Sequence, residues 1–228
     1  MLAAGDLALR QDDYTRAVED LEASRSLYRE AQDRRGEAYA LSILGWIASE
    51  RNELERAREL LEESLPLSRA AGTARDVSVV LNAVATLELH RGEYARAATI
   101  AEEGLSLARE AGDVRSIAIY TINLALTAAV TGNYERAEMF GREAQEMHRE
   151  LADVSGVALA NILLGYVALS RNDLDGTEEL CAEAVRIYRE RGQISGVDFA
   201  LDVLASVAAA RGRAPGGRAA VGHGCGFP

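Results

Sequence analysis

The chain has 228 residues, of which 48% are hydrophobic, 27% charged and only 5% aromatic, a balance typical of a folded protein rather than a disordered one. Its formal net charge of −11 disfavours direct nucleic-acid binding, because an acidic surface repels phosphate. No apolar run is long enough to span a bilayer, the first residues lack the basic start of a signal peptide, and two cysteines make no disulfide framework. We therefore expect a cytoplasmic protein without a membrane segment.

Blocks of forty residues recur along the chain without insertion. RNELERARELLEESLPLSRAAG begins at Arg51, and RGEYARAATIAEEGLSLAREAG begins forty residues later at Arg91. The blocks share an opening aromatic residue or leucine, at Tyr14, Leu54, Tyr94, Tyr134 and Leu174, followed three residues later by Ala17, Ala57, Ala97, Ala137 and Thr177. A fixed period of this length is typical of proteins that stack copies of one supersecondary unit.

Each block is predicted to form two helices, because its apolar residues recur at intervals of three and four. In chain order the predicted helices cover residues 12–31, 35–50, 53–71, 75–90, 93–111, 115–130, 133–151, 155–170, 173–191 and 195–211. Asn52 is expected to cap the third helix, with Glu53 favoured there by the helix dipole. Gly72 is expected to end that helix in a left-handed conformation. Pro66, inside it, predicts a kink.

The small residues of the blocks resemble those of the tetratricopeptide repeat. That family places glycine or alanine in its first helix and alanine twelve residues later. The matching pairs here are Gly45/Ala57, Ala85/Ala97 and Ala125/Ala137, with Gly5/Ala17 at the N-terminal edge and Gly165/Thr177 as a partial match. The resemblance covers about residues 1–211 and implies an all-α, right-handed α-solenoid of about five antiparallel two-helix repeats. The usual repeat has about 34 residues, so this longer variety is similar to the arrays of bacterial signalling ATPases and maltose-regulator-type transcriptional activators.

The period also predicts the domain boundaries. A truncated first repeat occupies residues 1–31, full repeats occupy 35–71, 75–111, 115–151 and 155–191, and a lone terminal helix at 195–211 precedes a disordered tail at 212–228. Because the array begins and ends within a repeat, we expect either a fragment of a longer protein or an array whose last helix is a cap. The last helix is rich in apolar residues, so self-association through exposed array ends is also expected.

No pattern of residues predicts catalytic, cofactor-binding or metal-binding residues, and we expect a non-enzyme without a cofactor. His90 and His148 are interpreted as helix-end or repeat-column variants, and Cys181 as a small buried residue. His223 and Cys225 offer only two ligands in the predicted tail, too few for a metal site. The chain contains no lysine, which rules out a phosphate-binding loop that needs one.

An arginine recurs near the end of each second helix, at Arg29, Arg69, Arg109, Arg149 and Arg189. This column is expected to complete the helix dipoles and to pair with Glu30, Glu110, Glu150 and Glu190 or with neighbouring repeats. The alternative is that the arginines bind an acidic partner.

In tetratricopeptide repeats the first helix of each repeat lines a concave binding face. Carried over by register, this implies partner binding by Tyr39, Ser42, Trp46, Asn82, Thr86, Ile122, Leu126, Ile162, Tyr166 and Leu169. The set is largely apolar and has no positive charge, which favours an apolar peptide or an amphipathic helix as partner. The alternative is that Trp46 and Tyr166 only pack between repeats.

The resemblance therefore implies a non-catalytic scaffold for a protein or peptide, in a regulatory or sensor module of bacterial signalling or transcription. Two alternatives stay open. The chain is a fragment of a larger ATPase or transcriptional regulator whose catalytic and DNA-binding domains lie elsewhere, or it senses a small ligand on its concave face.

Overall fold

The computed structural model describes residues 14–193 and 196–212, and all regular elements in these ranges are α-helices. They are α1 (Tyr14–Glu30), α2 (Arg34–Glu50), α3 (Leu54–Ala71), α4 (Ala74–His90), α5 (Tyr94–Glu110), α6 (Val114–Val130), α7 (Tyr134–Glu150), α8 (Val154–Ser170), α9 (Leu174–Glu190) and α10 (Val197–Arg211). None of the helices in these ranges is both long and apolar enough to cross a membrane. The predicted all-α fold class is confirmed. The predictions for Gly5, residues 1–13, His223, Cys225 and the tail from residue 213 onward lie outside the described residues.

A residue with positive φ follows most helices and turns the chain back sharply. After the second helix of a repeat this residue is Gln32, Gly112, Ala152 or Gly192, and after the first helix it is Asn52, Gly92, Gly132 or Asn172. Gly72 is the exception, with an extended φ of −94° and ψ of 167°, so its predicted left-handed conformation is wrong. The reason is local: the Gly72 N–H still donates to the Ser68 carbonyl, and a capping box of Thr73 and Asp76 starts α4 directly afterwards.

Aspartate and asparagine side chains start many of the helices. Asp33, Asn133, Asp153 and Asp173 each accept a hydrogen bond from the backbone N–H three residues later. The predicted cap at Asn52 is wrong, because Asn52 occupies the left-handed turn position and Glu53, which precedes α3, makes no side-chain capping bond. α3 continues through the exposed Pro66 to Ala71.

The contacts divide the chain into two compact units, with the boundary inside α6 between Asn123 and Leu124. In the first unit, each of α1 to α4 packs on the next helix in the chain, and α2 also packs on α4. In the second unit, α7 to α10 follow the same rule, and α8 also packs on α10. The first core centres on Leu21, Leu41 and Leu61, and the second on residues such as Ile162 and Val203. Each helix pair thus buries its apolar face against its neighbours.

Small and large residues are matched in volume within each repeat. Leu61 lies against Gly45, and Cys181 lies against Gly165, so that a Cβ on either glycine would be too close. The equivalent pairs in the other repeats are Ala85 with Ala101 and Ala125 with Gly141. The second small column is packed as tightly, since Ala17, Ala57, Ala97 and Ala137 are all at most 1% exposed. The short side chains that the sequence pairs therefore allow close helix contact.

The third repeat differs from the second in one packing contact and in the donor of one hydrogen bond. In the repeat before it, the Ser64 hydroxyl donates to the Ala38 carbonyl at 2.7 Å. Forty residues on, Gly104 replaces the serine, and the ring of the fully buried Tyr120 fills the space above it. The Tyr120 hydroxyl donates to the Ser78 carbonyl, which is the equivalent of the Ala38 carbonyl. One tyrosine thus fills the space above Gly104 and supplies the donor that Ser64 supplies in the preceding repeat.

Candidate partner-binding surface

The ten predicted binding residues differ in how far they are buried. Four of them are at most 9% exposed and belong to the packed interior, namely Ser42, Ile122, Ile162 and Leu169. The other six are half-buried, namely Tyr39, Trp46, Asn82, Thr86, Leu126 and Tyr166. A partner can reach only the second group without disturbing the packing. We call these six residues the candidate surface.

In the first unit, an aromatic pair dominates the candidate surface. Trp46 on α2 meets the ring of Tyr14 at the start of α1, edge to face, with ring centroids 6.3 Å apart and planes inclined by 61°. Tyr39 lies on the same helix two turns earlier, and its carbonyl accepts from the Ser42 hydroxyl at 2.8 Å. The pairing fixes the indole while leaving part of it accessible.

The polar members of the first unit are held by internal hydrogen bonds. The Asn123 amide on α6 donates to the Asn82 side-chain oxygen on α4 at 3.0 Å. The Thr86 hydroxyl donates to the Asn82 carbonyl one turn earlier, also at 3.0 Å. Asn82 and Thr86 are therefore positioned by their neighbours, and the apolar side chains offer most of the contact area to a partner.

The second unit repeats the aromatic pair. Tyr166 on α8 and Tyr134 at the start of α7 have ring centroids 6.4 Å apart, in the same repeat positions as Trp46 and Tyr14. Leu159, in the column of Tyr39, is 42% exposed. Trp46 and Tyr166 thus each pack against a neighbouring tyrosine and remain half-buried.

The arginine column only partly behaves as expected. Arg29 binds Glu37 and Glu63 at 2.7 Å each, and Arg69 binds Glu103 at 2.8 Å. These acids lie in the next repeat, as the second of the two predicted kinds of pairing required, and Arg29 does not pair with Glu30. Within the described residues, Arg109, Arg149 and Arg189 form no ion pair. In the same ranges, no group of three or more His, Cys, Asp or Glu could hold a metal ion.

A groove of about 630 Å³ between α3, α4 and the start of α5 contains a residue that the sequence analysis missed. Glu88 is 2% exposed, and its Oε1 lies 3.5 Å from Arg96 and 3.8 Å from Arg91. Its Oε2 is buried without a hydrogen-bond partner among the described residues. The sequence indicates that Glu88 is unusual, since the equivalent positions of the other repeats are all alanine, at Ala48, Ala128, Ala168 and Ala208.

The predicted single residues fall in different surroundings. His90 ends α4 half-buried, with Nδ1 at 2.9 Å from the Thr86 carbonyl. Cys181 is fully buried, and burial raises the pKa of its thiol to about 12, so it is not a reactive cysteine. His148, taken from sequence for a column variant, is buried at 3% exposure and hydrogen-bonded to Asp153.

Residues 1–70 match the family model of the tetratricopeptide repeat, and residues 116–173 match that of anaphase-promoting complex subunit 5. The first match confirms the predicted tetratricopeptide repeats in that part of the chain, and repeats of this class generally mediate protein–protein interactions. Among solved structures, the crystal structure of BtubC (BKLC) from P. vanneervenii is similar, with a TM-score of 0.61 and 19% identity, over 88% of this chain and 93% of that chain. At this identity the likeness concerns the fold alone. No curated protein matches the chain by sequence.

Proposed function

We propose that this chain is a non-catalytic scaffold that binds an apolar or amphipathic helical peptide through the candidate surface. The observation that carries the proposal is the repeated aromatic pair, in which Trp46 and Tyr166 each pack on a tyrosine and remain half-buried. Rigid aromatic side chains supply contact area at low entropic cost, which suits them to recognition. The setting that we propose is a regulatory or sensor module of bacterial signalling or transcription, in the cytoplasm.

The chemistry of the first helices supports an apolar partner. The column of Tyr39 continues as Val79 and Ile119 in the first unit and as Leu159 and Phe199 in the second, and none of these residues is charged. An amphipathic helix presents apolar side chains at intervals of three and four residues, and such a stripe can lie on the apolar residues of either unit. A basic clamp for a carboxylate is absent from these columns, so the candidate surface does not favour an acidic peptide.

The chain carries its own reporter for this test, because Trp46 is its only tryptophan. Helical peptides selected from a displayed library would be titrated against the full chain while indole emission and its quenching by acrylamide are followed. We expect saturable protection of the indole, and an affinity loss of about tenfold or more in Tyr166→Ser or Trp46→Ser, the latter followed by calorimetry.

The matched control is Glu62→Gln, a substitution on an exposed helix face outside the candidate surface. It should leave the affinity unchanged. Selected peptides that bind wild type and Trp46→Ser equally well would remove the candidate surface from the proposal.

A further inference from the structure

A buried histidine stands at the end of α7 with one ring nitrogen unused. His148 is 3% exposed, and its Nδ1 lies 3.1 Å from Oδ2 of Asp153, the residue that caps α8. An ionised carboxylate only accepts hydrogen bonds, so Nδ1 carries the proton. Nε2 is buried and has no hydrogen-bond partner within the described residues. This nitrogen is therefore the atom of the ring that is left for a ligand.

His148 lines a groove of about 410 Å³ formed by the end of α7, the first turn of α8 and the second half of α9. Apolar contact area comes from residues such as Val157 and Ile187. The first turn of α8 adds the partial positive charge of a helix N-terminus. The groove thus joins an apolar wall to a polar end that includes a buried imidazole.

The charges around the groove favour an anion. Among the residues that line the groove, Arg149, Arg186 and Arg191 outnumber Glu183 and Glu190 by one, while Asp153, which is not part of the lining, is hydrogen-bonded to His148. This excess is local, since the whole chain carries −11.

The pairing leaves two of these guanidinium groups available. Arg186 lies 3.0 Å from Glu190 and 3.9 Å from Glu183, and Glu183 also accepts from Asn161 at 3.0 Å. Arg149 and Arg191 form no ion pair in the part of the chain that the structure describes. Both glutamates of the groove thus have partners, whereas Arg149 and Arg191 have no acidic partner among the described residues.

Three residues of this groove, Arg191, Arg186 and His148, differ from the other members of their repeat columns. The position of Arg191 is alanine or leucine elsewhere, at Ala31, Ala71, Ala111 and Leu151. The position of Arg186 is filled by Ser26, Pro66, Ser106 and Glu146. The position of His148 is filled by Tyr28, Ser68, Ala108 and Tyr188. Because the other copies fold without these side chains, packing alone does not require them.

We propose that the groove beside His148 binds an anionic group, a carboxylate or a phosphoryl group carried on a small apolar body. The Arg149 and Arg191 guanidinium groups donate to its oxygens in the forked geometry that suits such anions. His148, when protonated, donates from Nε2 while Nδ1–H stays on Asp153. This site lies apart from the candidate surface and does not depend on the proposed function.

The test is calorimetric titration of the full chain with sodium phosphate and, separately, with sodium butyrate, at constant pH and ionic strength. The decisive variant is Arg191→Ala, because alanine fills this position in three other repeats. We expect it to weaken anion binding about tenfold or more, which is the usual effect of losing a charge-assisted hydrogen bond.

The matched control is Arg189→Ala, which removes the same charge from the same helix but does not line the groove. It should change the affinity less than about twofold, as expected for a screened surface charge. Saturation by phosphate alone identifies a phosphoryl ligand, and saturation by butyrate alone identifies a carboxylate. Saturation by neither anion, or equal losses in Arg191→Ala and Arg189→Ala, would overturn the proposal.

Discussion

At the scale of single residues, the Tyr120 ring fills the space that the missing side chain of Gly104 leaves. A Cβ at Gly104 would overlap the Tyr120 ring, so Gly104→Ser should lower the free energy of unfolding by about 2–4 kcal/mol. Tyr120→Val should cost about 3–5 kcal/mol, because it leaves a cavity and removes the hydrogen bond that the tyrosine donates to the Ser78 carbonyl.

The double variant Gly104→Ser/Tyr120→Val recreates the pair that Ser64 and Val80 form in the preceding repeat. It should recover most of the loss, since the new serine can donate to the Ser78 carbonyl as Ser64 does to Ala38. Urea unfolding of the three variants measures the coupling. Additive losses in the double variant would mean that the two positions do not compensate each other.

Substitution of Glu88 is expected to increase the free energy of unfolding. Its Oε2 is buried without a partner, and its Oε1 makes only long contacts with Arg91 and Arg96. Glu88→Ala removes this poorly compensated buried charge and installs the residue found in the other repeats, so the free energy of unfolding should rise by about 1–2 kcal/mol. The reciprocal Ala128→Glu should lower it. A destabilised Glu88→Ala protein in urea titration would show that the arginine contacts outweigh the desolvation of the carboxylate.

At the scale of helices, Ala97 tests the close contact of α5 with its neighbours. The residue is 1% exposed, so Ala97→Glu would bury a charge where a methyl group now fits, at a cost of about 3 kcal/mol or more. Thermal melting followed by circular dichroism should show a clear drop in the midpoint. Glu103→Gln on the same helix loses only the exposed ion pair with Arg69 and should cost less than about 1 kcal/mol. Equal midpoints for the two variants would contradict the assigned register.

Helices were more predictable than the turns between them. The forty-residue period and the apolar spacing placed all ten helices within about two residues, because both depend on burial that repeats along the chain. Asn52 and Gly72 were misassigned for a different reason. Asparagine suits both a cap and a left-handed turn, and the choice at Gly72 depends on whether Thr73 and Asp76 form a capping box. Such local competition is not resolved by periodicity.

At the scale of the whole molecule, stability should fall in alkali. Burial raises the pKa of the Tyr120 and Tyr188 hydroxyls, and it raises the pKa of the Cys181 thiol to about 12. A raised pKa means that the folded state holds these protons while the unfolded state releases them from about pH 8.5–10 upward. The stabilisation is therefore complete below that range and is lost as the pH rises, by about 1.4 kcal/mol per pH unit for each group.

The check is the urea midpoint at pH 8 and at intervals up to pH 11. Tyr188→Phe is the suitable variant, because the Tyr188 hydroxyl makes only a long contact of 3.4 Å with the Ser155 carbonyl. Its stability at pH 8 should stay close to that of wild type, and its decline above pH 10 should be shallower. An unchanged decline would mean that Tyr188 does not hold its proton in the folded state.

The candidate surface was only partly predictable from the sequence. Register predicted that Trp46 and Tyr166 occupy equivalent positions, because a repeat position maps to one helix face, and each of the two rings packs on an equivalent tyrosine. It could not separate the half-buried Leu126 from the buried Ile122, since exposure depends on what the adjacent helices place beside each residue. Three segments of the chain form the groove beside His148. In the sequence, the only indication of this groove is that some of its residues differ from the other members of their repeat columns.

The volume matching between neighbouring helices has a consequence for how this gene can change. Unequal crossing-over between two copies, in the turns at residues 51–53 and 91–93, would join α2 to α5 in one product and α4 to α3 in the other. The shorter product would place Gly45 against Ala101 and leave a void, and the longer one would force Ala85 against Leu61. Each recombinant thus begins with a packing defect at its junction. Because the copies have diverged, recombination that changes the number of repeats would give a protein that is poorly packed at the new junction.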